Sequence, residues 1–486
     1  MIKPTRTEAK TIAATGDYRL LPLSTEIYAD IITPISLLKI LRTKSKHCFI
    51  LESAEDAKTW GRYSFLGYDP QMAICCLDSV MQISSADGEN SFETDDPNAQ
   101  IKAILSANKS PKLPGLPPFC GGLVGYFAYD WAKYTEPALK FSTPCPERFP
   151  DADLMLFDKV IAFDHYRQKI IIIVNISTDD LDSEYERGVL ALKELVDLIE
   201  NGTSKAEEAV QKTTTFNALF TKDEYCRMVD KAKHYIREGD IFQVVLSNRL
   251  EATFEGSLLD TYRALRTINP SPYMFYLGGT DLEIAGASPE TLVKLQDGRL
   301  FTYPLAGTRP RGATDAEDLA LEQELLADEK EVAEHNMLVD LGRNDLGKIC
   351  MIGSVTVDKY MQMLRFSHVM HIGSTVCGDI LPDLDGLDAI NAVLPAGTLS
   401  GAPKIRAMQI ISELEQNKRG IYGGAIGYLD FAGNMDCCIA IRIAYKRGGK
   451  VFIRAGAGIV ADSVPEKEYQ ECENKAKAVR AALEDT

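Results

Sequence analysis

Hydrophobic and polar positions alternate along several short runs in the later part of the chain, which is the pattern of half-buried β-strands. The runs 291–296 and 299–303 are separated by Asp297-Gly298, a dipeptide typical of tight turns, so we expect an antiparallel hairpin there. Farther on, the runs 424–431, 435–445 and 450–455 are separated by short turns that contain glycine. Short turns between strands predict an antiparallel meander.

A helical spacing of apolar residues replaces this alternation between residue 317 and about residue 340, which predicts helical structure there. A last helix is expected after Ser463, because Ser463-Val464-Pro465-Glu466 fits a capping box with proline in the first turn. Antiparallel strands with intervening helices therefore predict an α+β fold rich in antiparallel sheet.

Two segments interrupt these patterns and are candidates for linkers. Residues 108–118 are rich in proline and glycine, and residues 201–215 are polar without an apolar period. We place a domain boundary near residue 215, which divides the chain into an N-terminal region, residues 1–215, and a C-terminal region, residues 216–486. The total of 486 residues is long enough for two or three domains.

The composition argues against several classes of function. The chain has 70 acidic and 53 basic side chains, and its formal net charge of −17 argues against partners such as nucleic acid or an anionic membrane surface. It does not argue against a small anionic ligand, because a site can be locally positive. The apolar runs are too short to span a bilayer, the first residues lack the apolar segment of a signal peptide, and the 11 cysteines are dispersed. We therefore expect a cytoplasmic protein with reduced thiols.

Two glutamate pairs are the first candidates for a functional site. Glu331 and Glu334 lie three residues apart in one predicted helix, and Glu468 and Glu471 have the same spacing in the last one. Each pair emerges on one helix face, and two such faces could enclose a hard cation such as Mg²⁺, which takes oxygen ligands. A solvated helix surface explains either pair at least as well in so acidic a chain, and both interpretations stay open at this point.

Segments rich in small residues are further candidates. Gly456-Ala457-Gly458 begins a G-x-G-x-x-A pattern, but too few residues follow it for the βαβ unit of a dinucleotide site. We expect these glycines at a strand end, where they allow an anion to approach backbone amides or form a turn. Residues 395–404 could present hydroxyls and amides to a carboxylate or form a plain turn. His368 and His371 could be ligands or buried structural residues.

Taken in order along the chain, several motifs resemble those of the chorismate-utilising enzymes. They lie at residues 304–312, 331–345, 395–404, 421–424 and 455–471, so the resemblance spans about residues 220 to 480. It implies an antiparallel-sheet-rich α/β sandwich in which the C-terminal region binds chorismate with Mg²⁺ as the cofactor. Within the family, the motifs look like those of the branch that converts chorismate and ammonia to anthranilate and pyruvate, the first step from chorismate to tryptophan.

The resemblance also implies roles for individual residues. Glu334 and Glu471 would hold Mg²⁺, and Glu331 and Glu468 would support it. Glu290 would be the general acid for the departing C4 hydroxyl, His371 would assist elimination of pyruvate, and Thr398 would help to position the ring. The remaining contacts with chorismate would come from Gly307, Thr308, Tyr422, Arg442, Gly456, Ala457 and Gly458.

The resemblance implies a regulatory site and a partner as well. The motifs Leu51-Glu52-Ser53 and Pro272-Tyr273-Met274 look like the site at which L-tryptophan inhibits this branch, and the N-terminal region would contribute to it. The implied effector residues are Glu52, Ser53, Pro272, Tyr273 and Met274. Because no cysteine lies in a Gly-x-Cys-x-Gly nucleophile turn, we expect a separate glutamine amidotransferase subunit to supply the ammonia.

Two positions argue against sister activities of the same family. Aminodeoxychorismate synthases that use a covalent lysine carry it where this chain has Ala306, and isochorismate and salicylate synthases carry a lysine base where it has Gln243. An aminodeoxychorismate synthase component and a tryptophan-binding module that has lost its chemistry are the rival interpretations. The second would lack a metal or acid position, whereas all of these glutamates are present. Ile443 departs from the threonine that is more usual in the family.

Overall fold

Two large antiparallel sheets form the frame of the molecule in the computed structural model, which describes residues 1–54, 60–139, 147–204, 215–365 and 369–484. The strands, in chain order, are β1 (Leu20–Tyr28), β2 (Cys48–Glu52), β3 (Tyr63–Tyr68), β4 (Met72–Leu77), β5 (Val80–Ser85), β6 (Gly88–Glu93), β7 (Gly122–Phe127), β8 (Ala152–Phe157), β9 (Lys159–Asp164), β10 (Lys169–Ser177), β11 (Asn217–Ala218), β12 (Gln243–Thr253), β13 (Tyr273–Gly278), β14 (Leu282–Ser288), β15 (Thr291–Gln296), β16 (Arg299–Thr302), β17 (Leu305–Pro310), β18 (Thr356–Arg365), β19 (Val369–Asp379), β20 (Gly401–Ala402), β21 (Ala425–Asp430), β22 (Met435–Ile439), β23 (Ile443–Arg447) and β24 (Lys450–Ile459).

The helices cover the outer faces of the sheets. They are α1 (Arg6–Ala13), α2 (Pro34–Arg42), α3 (Pro97–Ala107), α4 (Leu181–Asn201), α5 (Lys222–Arg237), α6 (Leu259–Ile268), α7 (Asp315–Ala327), α8 (Glu329–Gly347), α9 (Gly386–Val393), α10 (Lys404–Glu415) and α11 (Pro465–Glu484). One buried cluster joins α2, α4, α6 and α11 to the first sheet, and another joins α3, α8 and α9 to the second.

The strand order of each sheet follows from the pairing of the described strands. The first sheet runs β1-β10-β9-β3-β2-β13-β14-β23-β24-β12-β11, with β20 also beside β12. The second runs β17-β19-β16-β15-β22-β21-β7-β8-β4-β5-β6, with β18 also beside β19. Aromatic side chains fill the space between the sheets, as shown by the 4.7 Å between the ring centroids of Phe49 and Phe157. The predicted α+β sandwich rich in antiparallel sheet is confirmed.

Both sheets take strands from either side of residue 215. In the first sheet β2 pairs with β13, and in the second β7 pairs with β21. The proposed boundary therefore does not separate one sheet from the other. The assignment of regulation to residues 1–215 and of catalysis to residues 216–486 stays a prediction.

The hairpin at Asp297-Gly298 is confirmed, because both residues have positive φ angles (54° and 79°) and β15 pairs with β16. The prediction of one strand over residues 435–445 is wrong. The chain leaves the second sheet after Ile439, turns at Arg442 with a φ of 54°, and enters the first sheet as β23. The expected meander is therefore two hairpins in two different sheets, β21 with β22 and β23 with β24.

The helical structure predicted over residues 317–340 is confirmed, but it is divided into two helices. The chain forms α7 and α8, which are separated at Asp328, whose ψ of 102° is extended. The Asp328 carboxylate accepts hydrogen bonds from the backbone amides of Lys330 (3.1 Å) and Glu331 (3.2 Å). Asp328 thereby caps α8, which explains why a new helix starts there. The last helix begins at Pro465, as predicted.

Two expectations from composition concern the thiols and the membrane. All ten cysteines that lie in the described residues are free, and seven of them are buried. Within the same ranges, the search for a helix long and apolar enough to cross a membrane finds none.

Candidate active site

The two glutamate pairs lie in the first two turns of α8 and α11, and the fold brings the two pairs together. The pKa of Glu334 is raised by burial and by the negative charges of Glu331 and Glu471. The pKa of Glu468 is raised by burial and by the charge of Glu471. Each helix therefore presents its pair to the other, and the four carboxylates form one negatively charged patch that we call the carboxylate patch.

Two lysines partly neutralise the carboxylate patch. Lys475 lies one turn after Glu471, forms an ion pair with it at 2.5 Å, and donates a hydrogen bond to the backbone carbonyl of Gly456 (3.1 Å). The charge of Lys330 acts on both Glu334 and Glu468. Among the described residues, no three histidine, cysteine, aspartate or glutamate side chains converge closely enough to form a complete metal site on their own. The carboxylate patch thus offers oxygen ligands to a cation but leaves most of its coordination positions to water or to a bound small molecule.

Glu290 lies just after β14 and lines a small pocket together with Thr398. The Thr398 hydroxyl donates a hydrogen bond of 3.1 Å to its carboxylate. Burial raises the pKa of Glu290 to about 7, although this hydrogen bond and the charges of Lys475 and Arg442 lower it. A carboxyl group with this pKa is half protonated near neutral pH and can act as a general acid.

Thr398 is held by a short 3₁₀ turn, Gly397–Leu399, that packs directly on α8. A Cβ atom at Gly397 would lie only 1.7 Å from a methyl group of Leu341, so this close approach requires glycine. The small-residue segment 395–404 therefore positions the Thr398 hydroxyl against the Glu290 carboxylate.

Gly307, Thr308 and His371 form a group beside the carboxylate patch. The φ angle of Gly307 is 67°, and a Cβ atom there would lie 3.3 Å from a carboxylate oxygen of Glu331. His371 Nδ1 lies 2.9 Å from the Gly307 carbonyl oxygen and 3.1 Å from the Thr308 hydroxyl. Because a carbonyl only accepts, Nδ1 carries the hydrogen of the neutral ring and Nε2 is left as the basic nitrogen. Burial lowers the pKa of His371, which favours that neutral form. His368 lies outside the described residues.

Tyr422, Arg442 and β24 form the opposite end of the site. The sequence suggested that these glycines lie where the strand ends, but β24 continues through them to Ile459. Within the strand, Gly456 pairs with Ser247 of β12. On the other side of β24, β23 pairs with it only as far as Ile453, so the segment 456–458 has an open backbone edge there. A Cβ atom at Gly456 would lie 2.9 Å from the Tyr422 hydroxyl. This arrangement can present amide donors to an anion.

Arg442 connects the two ends of the site. Burial lowers its pKa, while the nearby Tyr422, Glu471 and Glu290 raise it. Neither a hydrogen bond nor an ion pair joins its guanidinium group to another side chain of the described residues. A buried guanidinium without a protein acceptor is a strong binding site for a ligand carboxylate, to which it can donate two parallel hydrogen bonds.

Two further side chains line this region. Gln243 Nε2 lies 3.1 Å from the position of a Cβ atom at Gly458, so the Gln243 side chain lies against this part of β24. Lys475 is not among the site residues predicted from the sequence, but its contacts with Glu471 and the Gly456 carbonyl make it part of the site. The i,i+4 spacing from Glu471 is the signal that could have identified it.

The five residues expected to bind an effector line a separate cavity of about 520 Å³ between the two sheets. They are Glu52, Ser53, Pro272, Tyr273 and Met274. Glu52 pairs with Met274 across β2 and β13, and its carboxylate contacts the Arg266 guanidinium at 2.6 Å. The Tyr273 hydroxyl donates to Asp436 (2.8 Å) and lies 2.9 Å from the hydroxyl of Thr291, the residue that follows Glu290. Chain connectivity therefore links this cavity to the candidate active site.

Comparisons with known proteins identify one family. The model of the chorismate binding enzyme family matches residues 46–481. Anthranilate synthase component 1 of Acetivibrio thermocellus is 46% identical, and the match covers 100% of this chain and 99% of that protein. The corresponding protein of Aquifex aeolicus is also 46% identical, with 96% and 95% covered.

Solved structures agree with these sequence matches. Anthranilate synthase component I from Streptococcus pneumoniae has a TM-score of 0.75 and 38% identity, covering 93% of this chain and 99% of that one. The menaquinone-specific isochorismate synthase from Escherichia coli has the same fold, with a TM-score of 0.69 and 20% identity over 98% of this chain and 99% of that one.

Proposed function

The chain belongs to the chorismate binding enzyme family, and from this premise we propose that it converts chorismate and ammonia to anthranilate and pyruvate. The observation that carries this proposal is the match at 46% identity over the full length of a relative named anthranilate synthase component 1. The geometry of the site supports it, since one region contains a general acid, a free guanidinium group and a carboxylate patch. These are the groups that a substrate with two carboxylates and a leaving hydroxyl requires.

Arg442 would bind the enolpyruvyl carboxylate. Its fork of donors matches a carboxylate, and no acidic side chain of the described residues competes for it through an ion pair. The Tyr422 hydroxyl and the backbone of residues 456–458 lie beside it, as the 2.9 Å approach at Gly456 indicates. Hydrogen bonds from these groups would fix the orientation of the substrate relative to Glu290.

Glu290 would donate a proton to the C4 hydroxyl as ammonia adds at C2. Its pKa of about 7 keeps a large protonated fraction at neutral pH, and Thr398 holds the carboxyl in place. His371 would then assist elimination of pyruvate as a base, because its Nδ1 hydrogen is held by Gly307 and its Nε2 is the basic atom. Gly307 and Thr308 would contact the ring carboxylate from the same side.

The carboxylate patch suits Mg²⁺, since all four of its side chains offer oxygen ligands. Burial and mutual repulsion raise the pKa of Glu334 and of Glu468, and a cation would relieve that repulsion. Glu334 and Glu471 would hold the ion, and Glu331 and Glu468 would support them. When bound, Mg²⁺ supplies positive charge that neutralises the ring carboxylate of chorismate. Glu471 would exchange its ion pair with Lys475 for the metal, while Lys475 keeps its hydrogen bond to the Gly456 carbonyl.

Two neighbouring residues favour ammonia as the nucleophile. Ala306 is buried and offers no amine for covalent attack on the ring. Gln243 faces Gly458 and, being an amide, cannot deprotonate water. A separate glutamine amidotransferase subunit would supply ammonia in the cell, and the isolated chain would use ammonium salts.

Tryptophan would act as a feedback inhibitor in the cavity between the sheets. Glu52 and the other effector residues line it, and the volume of about 520 Å³ accommodates an amino acid with an indole ring. The Glu52 carboxylate would accept hydrogen bonds from the ligand ammonium group, and Met274 would pack against the indole.

A fluorescence assay tests this function directly. The purified chain is incubated with chorismate, Mg²⁺ and ammonium at fixed ammonia concentration, and formation of fluorescent anthranilate is followed. We expect anthranilate and pyruvate in equal amounts. Accumulation of aminodeoxychorismate would instead support the sister activity, and tryptophan binding without turnover would support a regulatory module.

A further inference from the structure

A fully buried cluster of charged side chains lies behind the candidate active site. Glu415, the last residue of α10, accepts hydrogen bonds from Arg419 (2.6 and 3.0 Å) and from Arg454 (2.7 Å). The amide and hydroxyl of Ser247 complete its shell at 2.8 and 2.9 Å. The side chains of the three charged residues are at most 1% exposed. We call Glu415, Arg419 and Arg454 the buried triad.

Arg419 connects the buried triad to two parts of the site. Its Nη1 donates to the Leu399 carbonyl (2.6 Å), and its Nη2 donates to the Val245 carbonyl (2.6 Å). Leu399 directly follows Thr398, and Val245 pairs with Gly458 across β12 and β24. One guanidinium group therefore ties the turn that holds Thr398 to the strand behind Gly458.

The other members of the cluster lie under the Arg442 end of the site. Arg454 Nε donates to the Ser247 hydroxyl (2.8 Å), and Ser247 pairs with Gly456. The guanidinium carbon of Arg419 lies 5.9 Å from the centroid of the Tyr422 ring. The buried triad thus contacts the Tyr422 ring and residues that adjoin Thr398 or pair with Gly456 and Gly458, without lining the site itself.

We propose that Arg419 is a positioning residue, which holds Thr398 and the segment 456–458 in one geometry and thereby acts on the reaction that was proposed above. A contribution to stability alone is a weak explanation, because apolar residues of similar volume often stabilise a core as well as a buried ion pair does. The planar fork of arginine, by contrast, donates to Glu415, Leu399 and Val245 at once, and the compact ammonium group of lysine cannot reproduce that geometry.

Steady-state kinetics of Arg419→Lys test the proposal, with Arg249→Lys as the matched control. Arg249, on β12, is likewise an arginine paired with carboxylates, those of Glu147 (2.9 Å) and Glu251 (3.0 Å), but it contacts neither Thr398 nor residues 456–458. In R419K we expect kcat to fall on the order of 100-fold and the KM for chorismate to rise, since small misplacements of reacting groups have effects of this size. R249K should retain both constants within about twofold.

The change in KM separates positioning from loss of folded protein, because a partly unfolded sample lowers kcat and leaves KM unchanged. A double-mutant cycle with Thr398→Ala adds a second test. If Arg419 acts through Thr398, R419K/T398A should lose less activity than the product of the two single losses. Fully multiplicative losses, an unchanged KM, or an R419K chain that no longer unfolds cooperatively would overturn the proposal.

The same experiment distinguishes this inference from the proposed function. If the wild-type chain forms anthranilate and R419K behaves as R249K does, only the positioning role is overturned. If the wild-type chain forms no anthranilate at all, the proposed function fails, and the positioning role fails with it.

Discussion

In the proposed role of general acid, Glu290 has to be protonated, whereas three neighbouring groups favour its charged form. Burial raises its pKa to about 7, against the Thr398 hydroxyl, Lys475 and Arg442. As a general acid, Glu290 must be protonated, so we expect kcat to decline as the pH rises above about 7 when the ammonia concentration is held constant. Glu290→Gln cannot donate the proton and should lose about 10²- to 10⁴-fold in kcat. A pH profile of E290Q that keeps the wild-type decline would contradict this role.

The same residue predicts an effect on stability with a definite sign. The folded-state pKa of about 7 lies above the ordinary glutamate value of 4.5, so folding disfavours the ionised form. The contribution of protonated Glu290 to the free energy of unfolding is fully present below about pH 4.5. It is lost as the pH rises through about 7. In denaturant unfolding, the free energy of unfolding of E290Q should therefore increase relative to that of the wild-type chain between pH 5 and pH 8. Glu89→Gln, at an exposed position on β6, is the control and should show no such trend.

At the scale of elements, α8 and α11 are expected to be linked by Mg²⁺. The chain would gain stability from the ion, by about 2.7 kcal/mol when Mg²⁺ is present at 100 times its Kd. Glu334→Gln or Glu471→Gln should abolish this gain and lower Mg²⁺-dependent activity on the order of 100-fold, while the fold is retained. Thermal unfolding with and without Mg²⁺ measures the first effect. Glu466→Gln, an exposed position on α11, should keep the full response, and an equal response in E471Q would assign the carboxylate patch to the solvated surface.

Local patterns predicted the elements better than they predicted how the elements are arranged. The i,i+3 spacing of the two glutamate pairs correctly indicated shared helix faces, because helical periodicity is a local property. The division of residues 435–445 between the sheets depends instead on the positive φ of Arg442, which its residue type does not signal. The partnership of Glu415 with Arg454 depends on long-range strand pairing, at a separation of 39 residues, so no local pattern reveals it. The family resemblance supplied the site residues that spacing alone left ambiguous.

At the scale of the whole molecule, one hydrogen bond and one peptide bond connect the cavity between the sheets to the candidate active site. Tyr273 lines the cavity and its hydroxyl lies 2.9 Å from that of Thr291, which follows Glu290 in the chain. A ligand that shifts Tyr273 would therefore act on the backbone that carries Glu290, the proposed general acid. Because the two sheets contribute opposite walls of the cavity, a ligand there would also favour one packing of the sheets over another.

This arrangement predicts that inhibition and catalysis can be separated by substitutions in the cavity. Met274→Thr removes apolar contact worth about 1.5–3 kcal/mol, so half-inhibition should require about 10- to 150-fold more tryptophan. Ser53→Phe should have the same direction of effect, because the larger side chain would occupy the space of the ligand. In both variants kcat without tryptophan should stay within about threefold of the wild type, since neither residue contacts the groups around Glu290. Titration of the anthranilate assay with tryptophan measures both quantities.

Met228→Thr is the matched control for this substitution, because Met228 is buried on α5 and lies outside the residues that line the cavity. It should reduce stability through loss of core packing and leave the tryptophan concentration for half-inhibition unchanged. If M274T and S53F were inhibited as strongly as the wild type while M228T behaved as expected, the effector site would have to lie elsewhere. If inhibition were lost equally in M228T, general destabilisation rather than a lost contact would explain the effect. Only a loss confined to the cavity variants supports tryptophan binding between the two sheets.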